Sequence, residues 1–155
     1  MPQLLGEYEC KIDAKGRMRM PSPLIRQLGS EGAHTFVINR GIEKCLTLYP
    51  KSIWDKIIQK VNQLNTYVKK NRDFIRYFYR GATEVALDSS DRVLLSKRLM
   101  EYADIEKEVI LFAVNDRIEI WSKSKFDGMM DEEPADFSDL AEDVMGNITI
   151  ENDPE

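Results

Sequence analysis

The chain carries one passage twice. Gly6 to Leu28 reads GEYECKIDAKGRMRMPSPLIRQL, and Gly81 to Leu99 reads GATEVALDSSDRVLLSKRL. A shift of 75 positions brings Gly6 onto Gly81, Glu9 onto Glu84, Asp13 onto Asp88, Arg17 onto Arg92 and Leu24 onto Leu99. Apolar character carries over as well, with Cys10 on Val85, Ile12 on Leu87, Met18 on Val93 and Met20 on Leu95. A second register, shifted by 72, pairs Val37 with Val109, Ile38 with Ile110, Leu46 with Ile118, Leu48 with Ile120 and Tyr49 with Trp121. A repeat of this length implies a duplicated supersecondary unit, and the change of offset implies a short deletion inside the second copy.

Each copy predicts strand, polar turn, strand and short helix. Tyr8, Cys10 and Ile12 alternate with Glu9 and Lys11, as a half-buried strand requires. Asp13 to Gly16 is a turn signal, because Asp accepts local backbone hydrogen bonds and Gly tolerates positive φ. Met18 and Met20 then alternate with Arg17 and Arg19, which puts apolar groups on one face and guanidinium groups on the other. Ser22 before Pro23 reads as an N-cap, opening a short helix that ends near Gly29. Strands follow over His34–Ile38 and Leu46–Tyr49, separated by a turn at Asn39-Arg40-Gly41.

After Pro50, Trp54, Ile57, Ile58, Val61, Leu64 and Val68 recur at helical spacing and predict one amphipathic helix from Lys51 to Lys69. A second helical stretch, Phe74 to Tyr79, is rich in aromatics. Its RDFIRYFYRG sequence admits base stacking between cations, but packing of a helix end against the second unit is the favoured reading. Phe137, Leu140, Ala141 and Val144 predict an acidic amphipathic helix over Ala135–Met145. The expected organisation is a first unit over 4–50, a connecting helical segment over 51–80, a second unit over 81–126 and an acidic tail over 127–155. That tail either docks on the basic half, docks on another subunit or stays solvated; Ile148 to Ile150 reads as a short edge strand or a ragged end.

The net charge of −5 conceals a split. Residues 127–155 hold 11 acidic side chains and no Lys or Arg, whereas residues 1–75 hold 13 basic against 7 acidic. Only the first half is therefore a credible polyanion face. No apolar run approaches the roughly 20 residues of a membrane span, and the N-terminus lacks a signal-peptide pattern, so a cytoplasmic location is expected. Cys10 and Cys45 fall in expected strands and read as small packing residues. His34, the only histidine, reads as a loop residue.

Asp13 with Arg17, repeated as Asp88 with Arg92, admits two readings. In one, each Asp caps its turn and braces its Arg. In the other, the turn presents Lys15, Arg17 and Arg19 to phosphates or guanine edges. Lys11, Lys15 and Arg19 tip the first copy toward binding, since the second copy has Ala86, Ser90 and Leu94 there. Enzymatic chemistry finds little support: no nucleophile with an adjacent base, metal-ligand spacing, phosphate-cradling loop or dinucleotide fingerprint is present, and Asp131 to Glu133 reads as a solvated charge run.

Taken together, the leading Gly6, the segment IDAKGRMRMPSPLIRQL, the phrase LTLYPKSIW and the second copy GATEVALDSSDRVLL resemble the MraZ family of bacterial transcriptional regulators. The resemblance covers residue 4 to about residue 130. It implies a mainly β, α+β fold in which tandem SpoVT-AbrB-like swapped-hairpin units form a small pseudo-symmetric β-barrel, with a connecting helix and a C-terminal helix. It further implies a nucleoid-associated DNA-binding repressor that assembles into a closed homo-oligomeric ring and binds direct G-rich repeats upstream of the operon for division and cell-wall synthesis. No cofactor, metal or small-molecule substrate is expected. By motif position the contacts to double-stranded DNA fall on Arg17, then Lys15, and less directly on Arg92; charge and strand direction add Lys11 and Arg19. The second motif departs from the family pattern at Asp91, where Gly is favoured, and at Ser96, where Pro is favoured. Asp91 adds negative charge beside Arg92 and opposes phosphate binding there. The alternative from another class is a protein-binding adaptor or antitoxin-like regulator, with the aromatic helix and acidic tail engaging a partner.

Overall fold

The computed structural model describes residues 3–29, 35–132, 136–146 and 148. His34, Glu133, Ala135, Thr149 and Ile150, which bear on the expectations above, lie outside these residues. The chain divides into a unit over Met1–Lys123 and a second over Ser124–Glu155.

In the first unit the duplicated sequence produces the same elements twice. The first copy gives β1 (Leu4–Lys11), β2 (Arg17–Arg19), α1 (Ser22–Leu28), β3 (Thr35–Arg40) and β4 (Leu46–Pro50). Next come α2 (Lys51–Val61) and α3 (Lys69–Tyr79). The second copy gives β5 (Thr83–Ala86), β6 (Arg92–Leu94), α4 (Lys97–Tyr102), β7 (Glu108–Asn115) and β8 (Arg117–Ser122). The second unit holds the rest of α5 (Lys123–Asp131), followed by α6 (Phe137–Met145).

The copies do not fold side by side. They exchange strands: β1 pairs with β7, β5 with β3 and β2 with β6, all antiparallel. The main sheet runs β1-β7-β8-β4-β3-β5, which reads the same from either end once equivalent strands are interchanged. At its centre Thr47 faces Glu119, and in the β2–β6 ribbon Met18 faces Val93. Each of these pairs joins a residue to its own repeat counterpart, so a pseudo-two-fold axis passes through both.

The β-barrel expected above does not close. The sheet stays open, with β1 and β5 at its edges, and β2 and β6 form a separate two-stranded ribbon. The cause is local: a single bridge, Ile12 to Met18, joins β1 to β2 before β2 leaves to pair with β6. Met18, Met20, Val93 and Leu95 on the inner side of the ribbon share one core with Ile38, Leu46, Leu48, Leu111, Ile118 and Ile120 from the sheet. A second, smaller core forms where Val37 and Tyr49 meet Ile53 and Trp54 of α2. Alternation along β3 and β4 explains the division, because successive side chains leave the strand on opposite faces.

Several local expectations are corrected. The helix expected over Lys51–Lys69 stops early: α2 ends at Val61, and Asn65 starts a turn by accepting the Tyr67 N–H at 2.9 Å through Oδ1. The helix expected at Phe74 begins at Lys69 instead. Asn39 and Arg40 remain in β3; the chain turns after them, with the Gly41 N–H donating to the Cys45 carbonyl. Asn39 is buried because its Nδ2 donates to the Phe78 carbonyl at 2.7 Å, fixing the end of α3. Pro21, not Ser22, is the N-cap of α1, and its counterpart Ser96 caps α4 by accepting the Leu99 N–H. Cys45 precedes β4 by one residue rather than lying in it. Both cysteines are free, and burial pushes the Cys10 thiol up to about 11 and the Cys45 thiol up to about 12. Among the described residues no helix is long and apolar enough to cross a membrane.

Candidate nucleic-acid interface

The two Asp-x-x-x-Arg turns are nearly superimposable in their hydrogen bonding. Asp13 Oδ1 accepts the Lys15 and Arg17 backbone N–H groups, both at 2.9 Å, and Asp13 Oδ2 accepts Arg17 Nε at 2.8 Å. Asp88 accepts Ser90 and Arg92 N–H groups at 2.8 and 2.9 Å, and its Oδ2 accepts Arg92 Nε at 2.9 Å. Each turn also reaches across the pseudo-axis. The Gly16 carbonyl accepts the Leu95 N–H and the Asp91 carbonyl accepts the Met20 N–H, both at 2.8 Å.

The residue before each arginine must adopt positive φ, and the copies meet this differently. Gly16 has φ +86°, and a Cβ there would sit 2.9 Å from the Leu95 carbonyl oxygen. Asp91 takes φ +59°, in the left-handed region that Asp tolerates better than most residues. The departure at Asp91 therefore preserves the turn while changing its charge.

Bracing and presentation turn out to be compatible. Arg17 spends its Nε on Asp13, which leaves its Nη groups without a hydrogen-bond partner among the described residues. Arg92 spends its Nε on Asp88, and its Nη1 also lies 4.0 Å from Asp13 Oδ2. Arg92 is thus the more neutralised of the two. Exposed ion pairs contribute little to stability, so the value of each brace is to fix the direction of its guanidinium.

Backbone N–H donation from Arg17 holds the Asp13 carboxyl below the usual range, reinforced by its guanidinium and the Lys15 N–H; Arg92 and Ser90 do the same for Asp88. A folded value below the unfolded value of about 3.9 means the contribution is complete above that pH and is lost as pH falls through the folded value. A carbon-13 carboxyl titration should give both residues midpoints below those of an unfolded peptide. In Arg17→Ala the Asp13 midpoint should rise only part of the way, since the backbone donor remains.

Register decides which predicted residues meet. In the ribbon Arg17 faces Leu94 and Arg19 faces Arg92, while Met18 and Val93 are fully buried on the other side. Arg17, Arg19, Arg92 and Leu94 therefore share the outward face, with Leu94 56% exposed where the first copy has Arg19. Lys15 sits on the exposed first turn. Lys11 is not part of this face: it ends β1 and stands opposite Glu108 in the main sheet. The fold also brings in two lysines that reasoning along the chain missed. Lys97 and Lys107 line, with Lys15 and the acidic Asp13, Glu101 and Glu106, a charge-balanced depression of about 780 Å³ beside the first turn. Their proximity comes from long-range pairing and has no local sequence signal.

The profile of the family described as "MraZ protein, putative antitoxin-like" matches this chain twice, over residues 3–77 and 78–148. The chain belongs to the MraZ family. Its two matches begin 75 residues apart, the offset of the first repeat register. The chain is 44% identical to the transcriptional regulator MraZ of Flavobacterium psychrophilum over 149 residues, covering 96% of this chain and 95% of that one. It is 45% identical to the MraZ regulator of Christiangramia forsetii, covering 95% and 96%. For that of Cytophaga hutchinsonii the identity is 39%, covering 88% and 91%. Membership in the MraZ family thus extends over both copies, including the second turn with its Asp91.

Proposed function

We propose that the chain is a sequence-specific DNA-binding transcriptional repressor, acting by occupying direct G-rich repeats upstream of the division and cell-wall operon. The observation that carries this reading is the outward face of the β2–β6 ribbon, where Arg17, Arg19 and Arg92 converge at the pseudo-axis beside Lys15. A two-stranded ribbon is narrow enough to enter a major groove. Arginine is also the side chain best suited to bidentate contact with guanine O6 and N7. Lys15, exposed on the first turn, supplies a phosphate contact that carries no sequence information but adds affinity and fixes register. The relatives' designation as transcriptional regulators agrees with this assignment.

Within it, Arg17 and Lys15 are the foremost contacts, Arg19 joins them from the same face, Arg92 has a weaker role and Lys11 is peripheral. The units over 4–50 and 81–126 build the ribbon together, with 51–80 connecting them and 127–155 as the acidic tail. A single ribbon is a small contact surface. Several copies in a homo-oligomeric ring, in the cytoplasm and on the nucleoid, gain avidity by engaging successive direct repeats. Titration of a duplex carrying such repeats against a scrambled duplex tests the reading at physiological salt. Binding at least about 1,000-fold tighter to the repeats is expected, and equal affinity would contradict sequence-specific repression.

A further inference from the structure

Two helices expose apolar side chains. Among the described residues, α3 and α6 are the helices in which no residue is buried. On α3, Phe74 and Tyr77 are 51% and 65% exposed at i, i+3 spacing. On α6, Phe137, Leu140 and Val144 are exposed at i, i+3, i+7 spacing, one apolar stripe of an amphipathic helix. Their charges are opposite and equal. Helix α3 carries Lys69, Lys70, Arg72 and Arg76 against Asp73, a net +3, whereas α6 carries Asp139, Glu142 and Asp143 with no basic residue, a net −3.

We propose that α6 of one copy docks on α3 of a second copy, with its apolar stripe entering the aromatic cleft beside α3. The cleft has a volume of about 700 Å³ and is lined by Phe74, Tyr77 and Phe78 with Ile42, Tyr49 and Ile57. Arg40, Lys44 and Arg117 line it as well, against Glu43 and Glu119, which leaves a net +1. Arg40 lies between the Tyr77 and Tyr102 rings at 4.5 and 4.8 Å, and Lys44 lies 4.4 Å over Tyr102. Among the described residues the buried Arg40 Nε has no hydrogen-bond partner. The helices also match in length, about 16 Å for α3 and 14 Å for α6 at 1.5 Å per residue.

Complementary charge selects the partner and its register, while burial of Phe137, Leu140 and Val144 provides the affinity. Because the joined surfaces differ, the contact is head-to-tail and can repeat from copy to copy, as closure into a ring needs. The proposal rests on the homo-oligomer described above and names the surfaces that join its copies.

Full-length Tyr77→Cys and Leu140→Cys chains carrying different tags, co-expressed and treated with a thiol oxidant, test this directly. A disulfide between the two tagged chains, absent from either variant alone, is expected. The native mass of the unmodified chain and a chain carrying both substitutions separate the failures. An intact oligomer with no mixed disulfide overturns the docking while leaving the oligomer standing. A monomeric wild-type chain overturns both. A disulfide within one chain at high dilution overturns docking on a second copy in favour of docking on the same copy. Leu140→Asp, at an exposed position, should weaken assembly at least tenfold without changing the melting of the first unit; unaltered assembly would also overturn the proposal.

Discussion

Arg17→Glu should lower affinity for the repeat-bearing duplex by at least tenfold per occupied site, with thermal melting close to that of the parent chain. The side chain is about one-third exposed, so its replacement empties no core. Three changes fall on the ribbon face together. A guanidinium with unpartnered Nη groups is lost, a carboxylate faces the phosphates, and Asp13 loses the cation that it orients. Loss of one bidentate arginine contact costs about 1–3 kcal/mol, and charge reversal adds repulsion. Because each copy of a ring carries the change, the defect multiplies through the lost avidity. Arg92→Glu should do less, because Arg92 is already neutralised by Asp88 and approached by Asp13. Fluorescence anisotropy at fixed salt measures both; unchanged affinity for Arg17→Glu would remove the ribbon from consideration.

Leu111→Ala should destabilise the first unit by about 2–5 kcal/mol, a large part of the roughly 5–15 kcal/mol that holds a domain together. Leu111 is fully buried in β7, registered against Tyr8 of β1 and Ile120 of β8. The cavity therefore opens where strands from both copies meet. Neighbouring side chains are held by two ladders and can close around it only in part. Urea melts at one protein concentration give the value, and fixing the concentration keeps assembly from contributing to it. A loss under 1 kcal/mol would mean that the core can collapse around the gap.

Local features of this architecture were legible along the chain, and non-local ones were not. The Asp13 and Asp88 turns could be read because each is closed by residues within four positions. The alternation of Met18 and Met20 with Arg17 and Arg19 likewise revealed which side of β2 is buried. The meeting of Arg19 with Arg92 could not be read from the pattern, since it depends on β2 abandoning its own hairpin for β6. The break between α2 and α3 was hidden because Leu64 and Val68 continue the helical spacing while the chain turns at Asn65. Asp91 read as a departure from the family pattern that adds negative charge beside Arg92; that its backbone takes the positive φ of Gly16 emerges only from the fold. Lys97 and Lys107 joined Lys15 only through tertiary packing.

The aromatic helix offers the sharpest contrast to the ribbon as a DNA contact, since α3 is basic and exposes Phe74 and Tyr77. Photocrosslinking to a bromodeoxyuridine-substituted duplex, with the attached peptides identified by mass spectrometry, separates the two surfaces in one measurement. Crosslinks within residues 13–19, with weaker ones within 88–94, are the expected result. Crosslinks confined to residues 69–80 would contradict the ribbon assignment and move the DNA to α3.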